Sequence, residues 1–372
     1  MYPGGGAADE AVVSSPRGNG YPTTMATPLD LLFKTPGNAP LDGNVPAGVV
    51  EEMRAYSAYL DTVVPPKRDV DRNILIATWN IAHFRSLTRK WSVPASSEDS
   101  PKRDYRSLWA IAEIVSRFDV VAVQEVGAGF EALRALMDVL GSKWSFLMTD
   151  RNEGQAGNNE HIAFLFDSSR VSLSGLAGEL VIPDDASKYG FTEGSFKRQF
   201  ARNPYAVSFR TRDTTFILVT AHIDYGNEDT QRLPELRAIA RWMQDWAARE
   251  NRWHHNLIAL GDFNLERIGN KLYEAFVETG LEVPFVLQSH PRTIYARASE
   301  PEKDSYHDQI AWFSKGRAKL IDLELADGGI VETWGRLLVD LGLTKASFSV
   351  RISDHFPLWV EFRPSQDSSI SA

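Results

Sequence analysis

The chain has 372 residues, is 43% hydrophobic and carries a formal charge of -9 at neutral pH. It is long enough for one large core or two ordinary ones, and its acidic balance excludes a polybasic wrapper of nucleic acid, whose affinity comes from Lys and Arg displacing counterions. The absence of cysteine excludes disulfides, zinc thiolate sites and Cys nucleophiles, whereas a phosphate-binding enzyme that works through a bound cation can still be acidic.

Residues 1 to about 45 are rich in Gly, Pro, Ala and Ser and read as extended or disordered. They lack the basic start and apolar core of a signal peptide, and no later run reaches membrane-spanning length, so the expectation is a cytoplasmic protein without integral membrane association. Next, Val49, Met53, Tyr56 and Leu60 fall at helical spacing before Pro65-Pro66 stops the pattern. This stretch reads as a helix packed on the main domain, with a partner-binding segment as the alternative. The chain divides into an extended tail plus short helix (1–71), a main domain (72–364) and a flexible C-terminal tail (365–372).

From residue 72 the pattern changes to short apolar runs, which predict strands at 74–79, 120–123, 162–166, 205–209, 215–220, 257–260, 309–313 and 356–362. Amphipathic spacing predicts helices over 105–117 and 232–249. These are too many strands for one open sheet with a helix between every pair. Two packed sheets with outer helices fit better.

Several of these runs end in polar groups. ATWNI closes on Asn80, VAVQEV on Gln124 and Glu125, VTAHID on His222 and Asp224, and LGDFN on Asp262 and Asn264; YHDQI opens a strand with Asp308, and SDHFPL sets Asp354 and His355 before the last one. Burying a carboxylate at a strand end costs several kcal/mol, on the order of that for other unpaired buried charges, unless a cation or hydrogen bonds compensate. Oxygen ligands suit a hard cation such as Mg²⁺, and histidines move protons near neutral pH. Each motif alone has a plainer reading: Asn80 as a turn residue, Gln124-Glu125 as a helix cap, His222 as a hydrogen-bonded core histidine. Their joint occurrence in this order argues for a site.

The series TWNI, QE, TAHID, GDFN, YHDQI and SDHFPL resembles the endonuclease/exonuclease/phosphatase superfamily, over roughly residues 72–364. The resemblance implies an α/β four-layer sandwich of two packed mixed β-sheets flanked by helices. It also implies a Mg²⁺ site, with Mn²⁺ as a substitute, in which Glu125 is the principal ligand, Asn80 lies beside it and Asp354 takes a second metal-proximal position. Asp262 would position or deprotonate the attacking water, Asn264 would hold a phosphate oxygen, and His355, oriented by Asp308, would contact the scissile phosphate. The segment around Glu160 resembles the deoxyribonuclease I branch, which implies that Glu160 pairs with His222 and that His222 protonates the leaving oxygen. The segment 200–209 resembles that branch too and makes Arg202 a candidate phosphate contact, with a surface ion pair as the alternative. That branch has a tyrosine where Asn158 stands here, which puts minor-groove insertion in doubt.

The expected activity is therefore metal-dependent hydrolysis of phosphodiester bonds, in a deoxyribonuclease I-like endonuclease that cuts DNA with little sequence preference. One alternative keeps the chemistry on a phospholipid or inositol phosphate; fold alone cannot choose between them. A membrane-active enzyme would want an exposed apolar hairpin, and the only candidate, 282–287, reads as core. The alternative of another class is a non-catalytic scaffold recruiting a protein partner through 1–71.

Overall fold

The computed structural model of the chain describes residues 45–150, 159–181, 200–212, 214–248, 256–296, 299, 304–313 and 321–364. The tails at 1–44 and 365–372, Asn158 and the basic pair Lys197-Arg198 lie outside the described residues.

Two six-stranded mixed sheets form the body of the molecule. The first begins with β1 (Ile74–Phe84), β2 (Val120–Gly127), β3 (Trp144–Met148) and β4 (Glu160–Asp167). The second holds β5 (Ser172–Glu179), β6 (Tyr205–Arg210), β7 (Thr215–His222), β8 (Leu257–Asp262), β9 (Leu281–Glu282) and β10 (Asp308–Phe313). The chain then returns to complete the first with β11 (Leu323–Ile330) and β12 (Leu358–Pro364). Strand orders are β11-β12-β1-β2-β4-β3 and β5-β6-β7-β8-β10-β9. Every residue of β4, β8 and β10 is buried, and in β1 only His83 is exposed. Strands covered on both faces need a layer on each side; the other sheet supplies one and helices the other, giving the α/β sandwich expected.

The helices are α1 (Ala47–Val63), α2 (Tyr105–Val115), α3 (Glu131–Leu140), α4 (Leu233–Ala248), α5 (Lys271–Val277), α6 (Phe285–Gln288) and α7 (Lys345–Ser349). Asp104 starts α2 and Asn270 starts α5, each side chain accepting from the amide three residues on, Ser107 N and Tyr273 N. On α1, Val49, Met53, Tyr56 and Leu60 are all buried. The same helix is tied down by Glu52, which pairs with Arg106 of α2 at 2.7 Å, and by the Tyr56 hydroxyl, which donates to the Glu332 carbonyl at 3.0 Å. Around α6, Val283 and Leu287 are core, but Phe285 is 86% exposed, because the four-residue helix presents only one side to the domain. No helix of the described residues is long and apolar enough to cross a membrane.

Topology brings the polar strand ends to one edge. β1 runs parallel to β2 and β7 parallel to β8, so their C-terminal ends lie level in pairs. β10 runs antiparallel to β8 and starts where β8 stops, which sets His222, Asp262 and Asp308 side by side in register. Gly261 makes the β7–β8 approach possible: its φ is +142°, and a Cβ there would lie 2.2 Å from the Ala221 carbonyl oxygen. In the first sheet the register shifts between Asn80 and Phe84 and again between Val123 and Val126. Within these bulges His83 (φ 53°) and Glu125 (φ 62°) take the left-handed conformation, which re-aims both side chains and is costly for residues with a Cβ.

Candidate active site

Asp262 is the centre of the polar cluster. Its Oδ1 accepts from the Asn264 amide at 3.0 Å, which fixes the carboxylate plane, while Oδ2 accepts from Asn80 Nδ2 at 3.1 Å across the gap between the sheets. The Nε2 atoms of His222 and His355 lie 3.7 and 3.9 Å from the same Oδ2. Both distances are too long for direct hydrogen bonds. Burial works to raise the Asp262 carboxyl, but the facing histidines His355, His222 and His307 and the Asn80 amide outweigh it and hold it at about 2.

His355 is fixed on its other side by Asp308, whose Oδ2 lies 2.7 Å from Nδ1. Burial alone would lower the imidazole; the Asp308 charge and hydrogen bond, with Asp262 adding, raise it instead to about 10. Burial likewise raises Asp308, so the pair as a unit retains a proton. The turn carrying His355 is braced from β1: Trp79 Nε1 donates to the His355 carbonyl at 3.0 Å, and the Ser353 hydroxyl donates to the Asn80 carbonyl at 2.6 Å while accepting from the His355 amide. Fully buried Arg103 joins the two segments, its guanidinium donating to the carbonyls of Ala82, His83, Arg351 and Ile352.

His222 has the opposite character. Burial, reinforced by the nearby Arg202 charge, lowers it to about 4, so it is neutral at physiological pH. Glu160 lies 3.8 Å from His222 Nδ1, beyond hydrogen-bonding reach, and its carboxylate instead accepts from Arg202 Nε at 3.0 Å, with Arg85 at 3.6 Å. Glu160 thus stands beside His222 at ion-pair distance while its hydrogen bond goes to Arg202. A guanidinium that takes the carboxylate's lone pairs leaves the imidazole the weaker competitor. Arg202 is buried, which excludes the surface ion pair.

Glu125 and Asn80 meet in the gap beside His222. Glu125 Oε1 accepts from Asn80 Nδ2 at 3.0 Å and Oε2 from the His83 amide at 2.9 Å. Burial pushes the Glu125 carboxyl up, but the facing His222 and these two hydrogen bonds prevail and keep it below the ordinary carboxylate value. Asn80 Oδ1 is buried with no hydrogen-bond partner. An orphaned carbonyl oxygen beside an ionised carboxylate is a hard-donor set, so these residues fit a divalent cation of the Mg²⁺ type. Two groups, His83-Glu125-Glu160 and Asp262-Asp308-His355, each bring their ligand atoms within 4.8 Å of one another. Asp354 belongs to neither: its carbonyl accepts from Ile294 N at 2.8 Å, and its charge acts on His355 and His307. Asn264 is near, but its amide donates to the Ile223 carbonyl at 2.6 Å and so braces the end of β7.

Gln124 is a cross-brace, its amide donating to Thr78 at 3.1 Å and to Thr220 of the other sheet at 3.0 Å. Four residues of the site escape the sequence reading: His83, His307, Glu235 and Arg103. His307 immediately precedes Asp308 and its ring lies 5.7 Å from that of His355. Glu235, buried at the start of α4, accepts from the amides of Ala201 at 2.7 Å and Asp224 at 3.1 Å and so ties the Arg202 segment to the loop after β7. The imidazole inside YHDQI is a usable signal; nothing in the sequence marks the other three.

The model of the Endonuclease/Exonuclease/phosphatase family matches residues 77–355. A protein described as a deoxyribonuclease from Thioalkalivibrio sp. (strain K90mix) is 32% identical over 217 residues, an alignment covering 57% of this chain and 51% of the relative. The chain thus spans about half the length of that relative. Among solved structures, a mannosyl-6-phosphatase of Bacteroides thetaiotaomicron VPI-5482 superposes with a TM-score of 0.51 and 18% identity, covering 78% of this chain and 99% of that one. An endonuclease/exonuclease/phosphatase family protein, also from Bacteroides thetaiotaomicron, gives 0.51 and 17% over 78% and 97%. At these identities the likeness is one of fold.

Proposed function

From the premise that the chain belongs to the endonuclease/exonuclease/phosphatase family, whose members hydrolyse phosphoester bonds, we propose that it is a Mg²⁺-dependent phosphodiesterase that cuts DNA as an endonuclease with little sequence preference, Mn²⁺ being able to substitute. The observation that carries the reading is the single carboxylate oxygen, Asp262 Oδ2, set among the Asn80 amide and the Nε2 atoms of two histidines. The deoxyribonuclease named among its relatives supports the choice of a nucleic-acid substrate.

Each residue then has a task. Asp262, ionised, accepts a hydrogen bond from the attacking water and aims its lone pair. His355, kept protonated by Asp308, donates to a non-bridging phosphate oxygen and offsets the charge that builds there. His222 is neutral in the free protein; an anionic phosphodiester docking beside it raises its proton affinity, so that it takes up a proton from solvent and gives it to the leaving oxygen, while the proton of the attacking water leaves by way of Asp262 to solvent. The Glu160–Arg202 pair holds a guanidinium at the edge of the same space, where Arg202 contacts the phosphate. Glu125 and Asn80 Oδ1 would hold the cation, which supplies Lewis-acid charge against the phosphoryl oxygens; the metal-proximal role of Asp354 requires its carboxylate to act at longer range. A scaffold without catalysis would bear these buried charges for nothing, and unpaired buried charges are costly.

The test is parallel assay of the purified protein with Mg²⁺ or Mn²⁺ on supercoiled plasmid, an abasic duplex, sphingomyelin and inositol phosphates. Nicking of the plasmid is expected. Hydrolysis of the lipid or inositol ester with no cut in any nucleic acid would transfer the chemistry to the other substrate class.

A further inference from the structure

Tyr225 lies three residues beyond His222 on the loop that leaves β7, and it is 72% exposed. A tyrosine on an exposed loop ordinarily samples several rotamers. Here two contacts hold it. Its ring meets that of His307 at 6.2 Å in an edge-on arrangement of 68°, and His307 in turn lies 5.7 Å from His355 at 43°. The Arg232 guanidinium sits 5.4 Å from the Tyr225 ring centroid. That guanidinium is itself anchored, donating to the Asn264 carbonyl at 3.3 Å and to Glu266 at 2.9 Å. The loop backbone is pinned as well: the Asp224 amide donates to Glu235, Gln231 donates to Asp224 at 3.1 Å, and the Asn227 amide donates to Gln231 at 2.6 Å.

The result is an exposed aromatic face, backed by a cation, at two ring-to-ring steps from the histidine that faces the phosphate. We propose that Tyr225 is a stacking platform for the base of the nucleotide whose phosphate sits at His355, and that it sets the preference of the site for nucleotide esters over esters that lack a base. The proposal rests on the nuclease reading and names the part of the substrate that this wall recognises. Every base has a π face, so the platform favours nucleotides without favouring a sequence. Sugar and acyl groups offer no such face. Holding the ring in place before binding reduces the ordering that binding must impose.

The experiment is steady-state cleavage of two matched single-stranded deoxyoligonucleotides, one with bases and one base-less along its length, by the parent protein, Tyr225→Ala and Tyr225→Phe. For the base-bearing strand, Tyr225→Ala should raise KM by roughly ten-fold, the scale of one base–aromatic stack, with kcat changed by less than about two-fold. Tyr225→Phe keeps the ring and should behave as the parent. The base-less strand should already show the high KM in the parent and should not respond to Tyr225→Ala. Equal losses on both strands, or no loss on either, would overturn the platform while leaving the nuclease intact. If the parent cuts neither strand, but still nicks supercoiled plasmid, the platform for a single-stranded base is overturned and the nuclease stands; if it cuts no nucleic acid and hydrolyses a non-nucleotide phosphodiester, the nuclease reading and the platform fall together.

Discussion

Replacing Glu235 by glutamine should change the pH dependence of stability in a direction and amount fixed by its surroundings. Burial, only partly offset by the Ala201 and Asp224 amides, raises the Glu235 carboxyl from 4.5 to about 7 in the folded protein. Below about pH 4.5 the group is protonated whether the chain is folded or not. Between there and about 7 the unfolded chain has released its proton and the folded chain has not, so stability falls as pH rises; above about 7 the loss is complete. At about 1.4 kcal/mol per pH unit, the whole loss is on the order of 3 kcal/mol. The side-chain amide introduced by Glu235→Gln cannot ionise, although it presents a donor where an acceptor is needed, a constant penalty at every pH. The stability of Glu235→Gln relative to the parent should therefore improve by up to about 3 kcal/mol between pH 5 and pH 8, whatever its offset. Urea unfolding at several pH values measures this, read as a free energy only where fluorescence and circular dichroism give coincident transitions. A parent–variant difference that stays constant across the range would refute the reasoning.

Four other outcomes are expected. Glu125→Gln should abolish hydrolysis and weaken Mg²⁺ binding by calorimetry with little change in fold; a variant that binds and turns over like the parent would remove Glu125 from the metal site. Asp308→Asn and His355→Ala should each slow hydrolysis, with the double variant little worse than the worse single one, because the two act as a unit; additive losses would break the pair. His222→Ala should cost on the order of 10²–10⁴ in rate, and a loss of only a few-fold would reduce the residue to a structural part. Binding to duplex DNA should show a slope of log affinity against log salt of only about -2 to -4, since each neutralised phosphate contributes roughly -0.9; a much steeper slope would mean a broad basic footprint.

The eight apolar runs visible in the sequence all form strands, and the four strands it does not reveal, β3, β5, β9 and β11, are the four sheet edges. The reason is physical. An interior strand is buried on both faces and reads as a continuous apolar run, whereas β5 and β11 are partly solvated and mix Ser, Gly and acids, as in SLSGLAGE and LELADGGI, β9 has only two residues, and β3 is a short run, WSFLM, with no polar end to mark it. The same rule makes the site legible: a polar residue closing an apolar run stands out, and Asn80, Glu125, His222, Asp262, Asp308 and His355 all announce themselves in this way. Residues with no such contrast stay hidden. Glu235 sits in a helix where acids are common, Tyr225 in a loop, and the preference of Glu160 for Arg202 over His222 depends on small differences in distance that no spacing encodes.

The composition that hides an edge strand from a reader also hides it from other chains. An open strand edge is a template for pairing with a neighbouring molecule, and three of these four are blunted: β9 has two residues, while β5 and β11 contain glycines and register shifts between Leu173 and Ala177 and between Leu325 and Asp327. Among the described residues β3 has none of these devices. Its sequence WSFLM has no charge, glycine or proline, it pairs with β4 without a break, and Phe146 is 38% exposed. Self-association at high concentration should therefore begin at β3, and Phe146→Lys should suppress it, since Phe146 pairs with Leu165 near the end of β4 opposite to Glu160.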